Sequence, residues 1–466
     1  MENFMNIHAL RNNISGTVTV PEDPRYEATR QALLWNGRKP ERFPQLIIKA
    51  ANRTDVQNAV RYAAASKLPI SVRGGGHHWS GVAMQGGIVL DLAALNSFTI
   101  DPDTMTAVAE PAVTNAEFAR ALAEHNLAFP VGHCATVPLS GYLLGGGFGW
   151  NSGQWGIACH SVEAAEVVLA DGEARWVSAT ESPEIFWAVR GSGPEFFGVV
   201  TRYRLKLQRL PGAIRTSVRV YSIEDVKAVE RWMRETMRQV PRNVEFTAVF
   251  SAAPPPLAAQ NPKVITAAAT VFADTEDEAD DTLARIASGA PEAALVTEEK
   301  ISTPFEVLYG IIGQFFPEGR RYLADTSWAS QSGKVFSELA TAVRNSPSPE
   351  SLALAVILPP HDGSPLPDAA FSMVAPVFSC TYAVWQGDDA DRANIDWLRS
   401  TSSAMATNTT GHYIGESDLD RAGRTAGSFS PGAWSRLKRL QSQYDPNGVF
   451  HRSSPADAER SMRKAV

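Results

Sequence analysis

The chain has 466 residues, is 44% apolar and 20% charged, and carries a formal net charge of −7 with no run of lysines and arginines. That length predicts two domains, and the charge balance argues against nucleic acid or an anionic membrane as the main partner. No apolar run approaches the roughly 18–20 residues of a membrane span. Met1 to Leu10 shows no basic-then-apolar leader. Cys134, Cys159 and Cys380 lack CxxC spacing and offer neither a disulfide framework nor a zinc site. The expectation is a cytoplasmic protein acting on a small molecule.

Asp23-Pro24 reads as a cap and a first-turn proline for a helix to about Leu34, and Gln45 to Ile48 as a short strand. Thr54-Asp55 reads as the cap of a helix with Val56, Val60 and Ala64 on one face. The strand Pro69 to Val72 delivers Arg73-Gly74-Gly75-Gly76-His77-His78-Trp79-Ser80-Gly81. Three consecutive glycines permit positive φ and close approach of the backbone, and their N–H groups can form an anion-binding concavity. A tight turn with two surface histidines is the plainer alternative for this stretch alone. Gly87 to Leu92 reads as a strand, Phe98 to Ala109 as a hairpin around Asp101-Pro102-Asp103, and Thr114 with Glu117 as a capping box.

A second glycine run, Gly145-Gly146-Gly147-Phe148-Gly149, follows Gly132-His133-Cys134. Glu163 to Ala179 reads as two strands joined at Asp171-Gly172, Ser182-Pro183 as a helix start, and Gly198 to Leu207 as a strand. Pro211-Gly212 marks a domain boundary, which gives segments 1–211, 212–430 and 431–466. Beyond it, strands at Val244 to Phe250, Val264 to Phe272 and Leu352 to Leu358 alternate with helices near 223–239, 276–288, 333–344 and 388–408. This is an α+β pattern, a largely antiparallel sheet backed by helices. A last helix spans about Ala433 to Gln443.

The common cofactor codes are missing. There is no GxxxxGK[ST], the second glycine run does not satisfy GxGxxG, and no GxSxG elbow occurs. His77-His78 has no partner cluster for a metal. What remains is a two-loop constellation, Arg73 to Gly81 with Gly132 to Gly149, joined by Arg190-Gly191-Ser192-Gly193, Gly198-Val199-Val200-Thr201 and Tyr444-Asp445-Pro446-Asn447-Gly448-Val449-Phe450.

Over about 42–210, and again near 411–416 and 444–450, these segments resemble the berberine-bridge-enzyme-like oxidases of the vanillyl-alcohol oxidase flavoproteins. The resemblance implies a two-subdomain FAD-binding domain plus a substrate domain. It also implies bicovalent FAD, with His77 bonding the 8α-methyl carbon and Cys134 bonding C6, and His78 as a neighbouring wall residue. His133, adjacent to Cys134, is of a type that favours the reactive thiolate. The resemblance extends the cofactor contacts to Arg73, Gly74, Gly75, Gly76, Ser80, Gly81, Gly141, Gly145, Gly146, Gly149, Gly198, Val200 (against the adenine) and Asn447. Phe196-Phe197-Gly198 stands where relatives place asparagine before the phenylalanine-glycine pair. Val137 matches the position that gates oxygen, which favours an oxidase producing hydrogen peroxide from dioxygen. Tyr142 stands where some relatives place a histidine near flavin N1 and O2, and a phenol there can donate a hydrogen bond.

Relatives carry a YxN-aromatic segment where this chain has Tyr413-Ile414-Gly415-Glu416. Glu416 becomes the candidate base, its pKa raised by burial. Tyr413 becomes the orienting residue, and His412 and Asp368 stand behind them. A dehydrogenase with a quinone or protein acceptor, or a flavin-binding protein with altered catalytic residues, are the alternatives. Phe305, Tyr309, Phe315, Phe316, Tyr322 and Trp328 are either pocket or core aromatics. Alcohols, sugars and amines all remain open as substrates.

Overall fold

The computed structural model describes residues 7–360, 363 and 365–452. The first six residues of the leader reading and the end of the 431–466 segment lie outside the described residues. Near the N-terminus, a four-stranded sheet runs in the order Thr17–Thr19, Leu46–Lys49, Ile88–Asp91, Ile70–Arg73. Its last three strands are parallel and its first is antiparallel. Helix Arg53–Ser66 buries Val56, Ala59, Val60 and Ala63 in a core with Ile48, Ile70 and Leu90. Its cap is Asn52, whose side chain accepts from the Asp55 amide, rather than Thr54-Asp55. The Asp55 carboxylate instead turns inward, where it is buried and accepts the amides of Ser15, Gly16 and Ala51. The helix beyond Asp23 is also shorter than expected, Tyr26–Ala32.

A five-stranded antiparallel sheet follows, in the order Phe98–Asp101, Thr106–Ala109, Val199–Lys206, Val162–Val168, Ala174–Ser178. Its two hairpins turn at Asp101-Pro102-Asp103 and at Asp171-Gly172. Thr114 and Glu117 close the capping box in both directions and start helix Asn115–Ala123, which sets the second loop in place.

Residues 213–411 form an eight-stranded antiparallel sheet, ordered Val296–Ser302, Ala213–Ser222, Lys263–Ala273, Val244–Ala252, Leu352–Ile357, Val377–Trp385, Arg321–Ala329, Thr409–Gly411. The side-chain period of two divides each strand between faces. On Val244–Ala252, Phe246, Ala248 and Phe250 pack with Val229 and Met233 of helix Val226–Thr236 and with Phe336 and Leu339 of helix Ser332–Arg344. Glu245, Thr247 and Val249 face the other way, into a cavity. Helices Glu276–Ser288 and Asp391–Met405 complete the helical set.

The last helix, Pro431–Tyr444, is capped by Ser430. The chain then returns to the first sheet. The Ile70 amide donates to the Val449 carbonyl and the His451 amide to the Ile70 carbonyl, both at 2.7 Å. Asp445 fixes this return by accepting the amides of Val449 and Phe450. Among the described residues no helix is long and apolar enough to cross a membrane.

Candidate active site

The first glycine loop is braced from behind. Arg73 pairs with Asp91 at 3.0 Å and donates to the carbonyls of Leu33 and Gly75. Gly76 has φ +69°, and a Cβ there would lie 1.9 Å from the Leu33 carbonyl oxygen, so no other residue fits. A Cβ on Gly74 would sit 1.8 Å from Ser140 Oγ, and one on Gly75 would sit 2.4 Å from the Pro138 ring. The two loops therefore close on each other through missing side chains.

His77 stacks on Trp35, with centroids 5.4 Å apart and planes at 21°. Burial, aided by the Arg73 charge, pushes its pKa down to about 4, which keeps the imidazole neutral near pH 7. His78 accepts the Ser80 amide at Nδ1 and lies 3.1 Å from the Ile414 carbonyl through Nε2. Its hydrogen is thereby assigned to Nε2, and burial lowers its pKa as well.

Asn115 organises the second loop, a role its sequence position just after the cap does not reveal. Its side chain donates to the Val137 carbonyl and accepts the Gly132 amide, and its neighbour Ala116 donates to the Ala135 carbonyl. Cys134 projects into the cavity with Sγ 3.8 Å from Thr136 Oγ1. The expectation that His133 favours the thiolate is corrected by the geometry. The His133 ring turns edge-on to Trp150 at 4.2 Å, and its Nε2 lies 2.9 Å from Glu245 Oε1. Burial works against the charged form of His133, yet the Glu245 carboxylate wins and raises its pKa. Burial pushes the Cys134 thiol up instead.

Both loops open onto one cavity of about 480 Å³. Gly74, Gly75, Gly76, His77, His78, Cys134, Val137, Gly141, Tyr142 and Gly145 line it from the loops. Gly198 and Val200 reach it from the five-stranded sheet, and Tyr413 and Glu416 from the segment after Thr409–Gly411.

Other expected contact residues stand behind this wall. Arg73 is the brace already described. Ser80 uses its Oγ to accept the Leu419 amide, and Gly81 packs beside Leu34 and Pro40. Gly146 and Gly149 make room for Phe371 and for the Val131 carbonyl, respectively. Asn447 is exposed, and its segment reaches the cavity through Phe450 and His451. Asp368 is an exposed partner of Arg436, and His412 is held outside the wall against the Thr326 carbonyl and Arg424. Of the candidate aromatics, Phe315 and Phe316 line the cavity. Tyr322 and Trp328 are core, while Phe305 and Tyr309 line a separate cleft.

Tyr142 cannot act as expected. Its hydroxyl already donates to the Pro130 carbonyl at 2.5 Å, so its single hydrogen is committed. Tyr413 has a mechanical part: its oxygen accepts the amides of Gly147 at 3.1 Å and Phe148 at 3.3 Å, pinning the second glycine run. A Cβ at Gly415 would sit 2.8 Å from the Tyr413 ring, which accounts for glycine at that position. Glu416 Oε2 accepts the Tyr382 hydroxyl hydrogen at 3.1 Å. Burial raises the Glu416 pKa, and the Tyr382 bond opposes it.

No lysine or arginine stands on the wall among the described residues, and no His/Cys/Asp/Glu group among them can hold a metal ion. A diphosphate held here must therefore rely on backbone amides, which the first glycine run offers; in the second run the Gly145 and Gly146 amides donate to the Gly141 and Leu143 carbonyls. An apolar, aromatic wall suits a flat ring system. The residues present fit FAD on both counts.

Residues 44–178 match the family described as FAD binding domain. The chain is 29% identical over 430 residues to FAD-linked oxidoreductase nodO of Hypoxylon pulicicidum, covering 92% of this chain and 94% of that one. The protein is an FAD-dependent oxidoreductase, similar over most of its length to the FAD-linked oxidoreductases. Among solved structures, 6-hydroxy-D-nicotine oxidase of Arthrobacter nicotinovorans superimposes with a TM-score of 0.81 at 25% identity, covering 95% of this chain and 97% of that one. The berberine bridge enzyme of Eschscholzia californica shares the fold with a TM-score of 0.81 at 20% identity, covering 96% and 98%. The oxidoreductase thus has the berberine-bridge-enzyme fold, and its FAD-binding segment contains both glycine loops, His77 and Cys134.

Proposed function

We propose that this FAD-linked oxidoreductase is an oxidase that removes hydride from a substrate C–H next to oxygen or nitrogen and yields hydrogen peroxide. The observation that carries the reading is a single cavity lined by His77, Cys134 and the Tyr382-bonded carboxyl of Glu416. When bound, FAD supplies the hydride acceptor and passes the electrons to dioxygen.

The chain's residues divide the remaining work. Residues 1–211 with 431–466 make the cofactor domain and 212–430 the substrate domain. Neutral His77 and Cys134 would hold FAD at the 8α carbon and at C6, each link replacing an N–H or S–H and a C–H bond and leaving two electrons on the flavin for dioxygen to take up. Gly74 to Gly76 would bring amides to the diphosphate, with Gly145 giving a bare backbone surface on the wall and Gly198 and Val200 toward the adenine. Glu416 takes the substrate O–H or N–H proton, and burial raises its pKa. Val137, between Cys134 and Pro138 on the wall, leaves dioxygen a path.

Purified protein assayed under air with candidate substrates tests this reading. Peroxide formed in step with substrate loss is expected. Flavin that is reduced by substrate but reoxidised only by a quinone would reassign the protein as a dehydrogenase. Flavin that no substrate bleaches anaerobically would leave a binding protein.

A further inference from the structure

The sheet face that closes the cavity carries a carboxylate only half employed. Glu245 shares that face with Thr247 and Val249, and its side chain is 11% exposed. Oε1 pairs with His133, whereas Oε2 is buried and has no hydrogen-bond partner. Buried acceptors are normally satisfied, and an orphan oxygen on a cavity-lining residue marks the place of a missing donor. A carboxylate inside a strand is also unfavourable for the fold alone.

The charge around it points one way. The ionisable groups on the wall are Glu245, Glu416, four histidines (His77, His78, His133 and His451), Cys134 and the tyrosines Tyr142, Tyr382 and Tyr413. Lysine and arginine are absent from the wall among the described residues. His133 already serves Glu245, and His77 and His78 are held neutral by burial. Two carboxyl groups thus share the wall with the paired imidazole of His133 and with His451. Trp79, Phe316 and Tyr382 form an aromatic cluster on the same wall, with Trp79 and Phe316 stacked at 6.3 Å and Phe316 edge-on to Tyr382 at 5.0 Å. Aromatic faces of this kind hold cations.

We infer that the substrate is a protonated amine with an apolar or aromatic body, its N–H⁺ donating to Glu245 Oε2. The assignment rests on the cavity being the substrate site of the proposed function. It makes Glu245 a specificity-determining residue, distinct from Glu416, the proton acceptor. A neutral alcohol offers Oε2 a hydrogen but no positive charge.

The test is isothermal calorimetry at pH 7 on the purified flavoprotein, using N-methylbenzylamine and its neutral isostere benzyl methyl ether. The amine is expected to bind at least about tenfold more tightly. Glu245→Gln is expected to remove most of that preference while changing ether affinity less than about twofold; tenfold corresponds to about 1.4 kcal/mol. Equal affinity for the two probes in the wild type would overturn the assignment. So would a Glu245→Gln effect of equal size on both probes in a variant of unchanged melting temperature. Calorimetry reads binding whether or not the flavin turns over, so an amine preference without flavin bleaching would sink the oxidase reading and leave the amine site standing.

Discussion

Tyr382 donates its hydroxyl hydrogen to Glu416 across 3.1 Å, linking a strand of the eight-stranded sheet to the segment that follows Thr409–Gly411. The bond stabilises the carboxylate form and works against burial, which raises the Glu416 pKa. Glu416→Gln should lower kcat/KM by about 10²- to 10⁴-fold. Tyr382→Phe removes a contribution that lowers the pKa, so the acid limb of the pH–rate profile should move to higher pH. A base is lost as pH falls through its pKa, so the activity deficit should be largest on the acid side. Full pH profiles of kcat/KM for both variants check this, and an unmoved acid limb in Tyr382→Phe would remove Glu416 from the role of base.

Tyr413→Phe deletes the acceptor of two buried amides, Gly147 and Phe148. Each unsatisfied buried donor costs roughly 1–3 kcal/mol. Urea unfolding should report a loss in that range or somewhat above it, together with weaker retention of any flavin not covalently bound. A stability change under about 0.5 kcal/mol would mean that water takes over both amides.

The attachment chemistry separates into two halves. His77→Ala and Cys134→Ala should each keep flavin through acid denaturation by the remaining link, with intact mass still including FAD. The double variant should release it. Yellow protein after denaturation of the double variant would place the attachment elsewhere.

Stability should fall as the solution is made acidic. His77, His160 and His412 have folded-state pKa values lowered to about 4, chiefly by burial. The unfolded chain, with histidines near about 6.5, therefore binds more protons between those values. Each of the three contributes stability that is present above about pH 6.5 and is lost as pH falls toward 4. Glu416 and Asp445, raised by burial, act with the opposite sign. The melting temperature should decline through this window, and His160→Gln should shallow the decline; a flat profile from pH 6.5 to 4 would contradict it.

The parts of the fold that local chemistry dictates are legible in the sequence. The Thr114–Glu117 capping box and the turn at Asp171-Gly172 both hold the positions expected of them. Val377–Trp385 is not legible, because each of its residues is buried and no alternation survives. Tyr382 is hidden with it. Glu245 lies on a recognisable strand, but which of its faces meets the cavity depends on pairing with Lys263–Ala273 and Leu352–Ile357, contacts remote in sequence. Motif spacing points to Asn447, Gly149 and Ser80, and the structure places them behind or beyond the wall. Spacing identifies a segment without saying which of its residues points inward. Gly415 reads as a lost asparagine, yet the Tyr413 ring leaves no space there for a Cβ.

The pairing of Ile70 with Val449 and His451 bears on the order of synthesis. Ile70–Arg73, the strand that delivers the first glycine loop, stands at the end of its sheet. Its last neighbour, Val449 to His451, is synthesised about 380 residues later. During translation this strand keeps an open flank, and the pocket below it lacks Phe450 and His451. Domains fold as they emerge, but this one is finished only after the whole of 212–430 has been made. The cavity wall is accordingly complete only once residues 449–451 have followed 212–430 through synthesis.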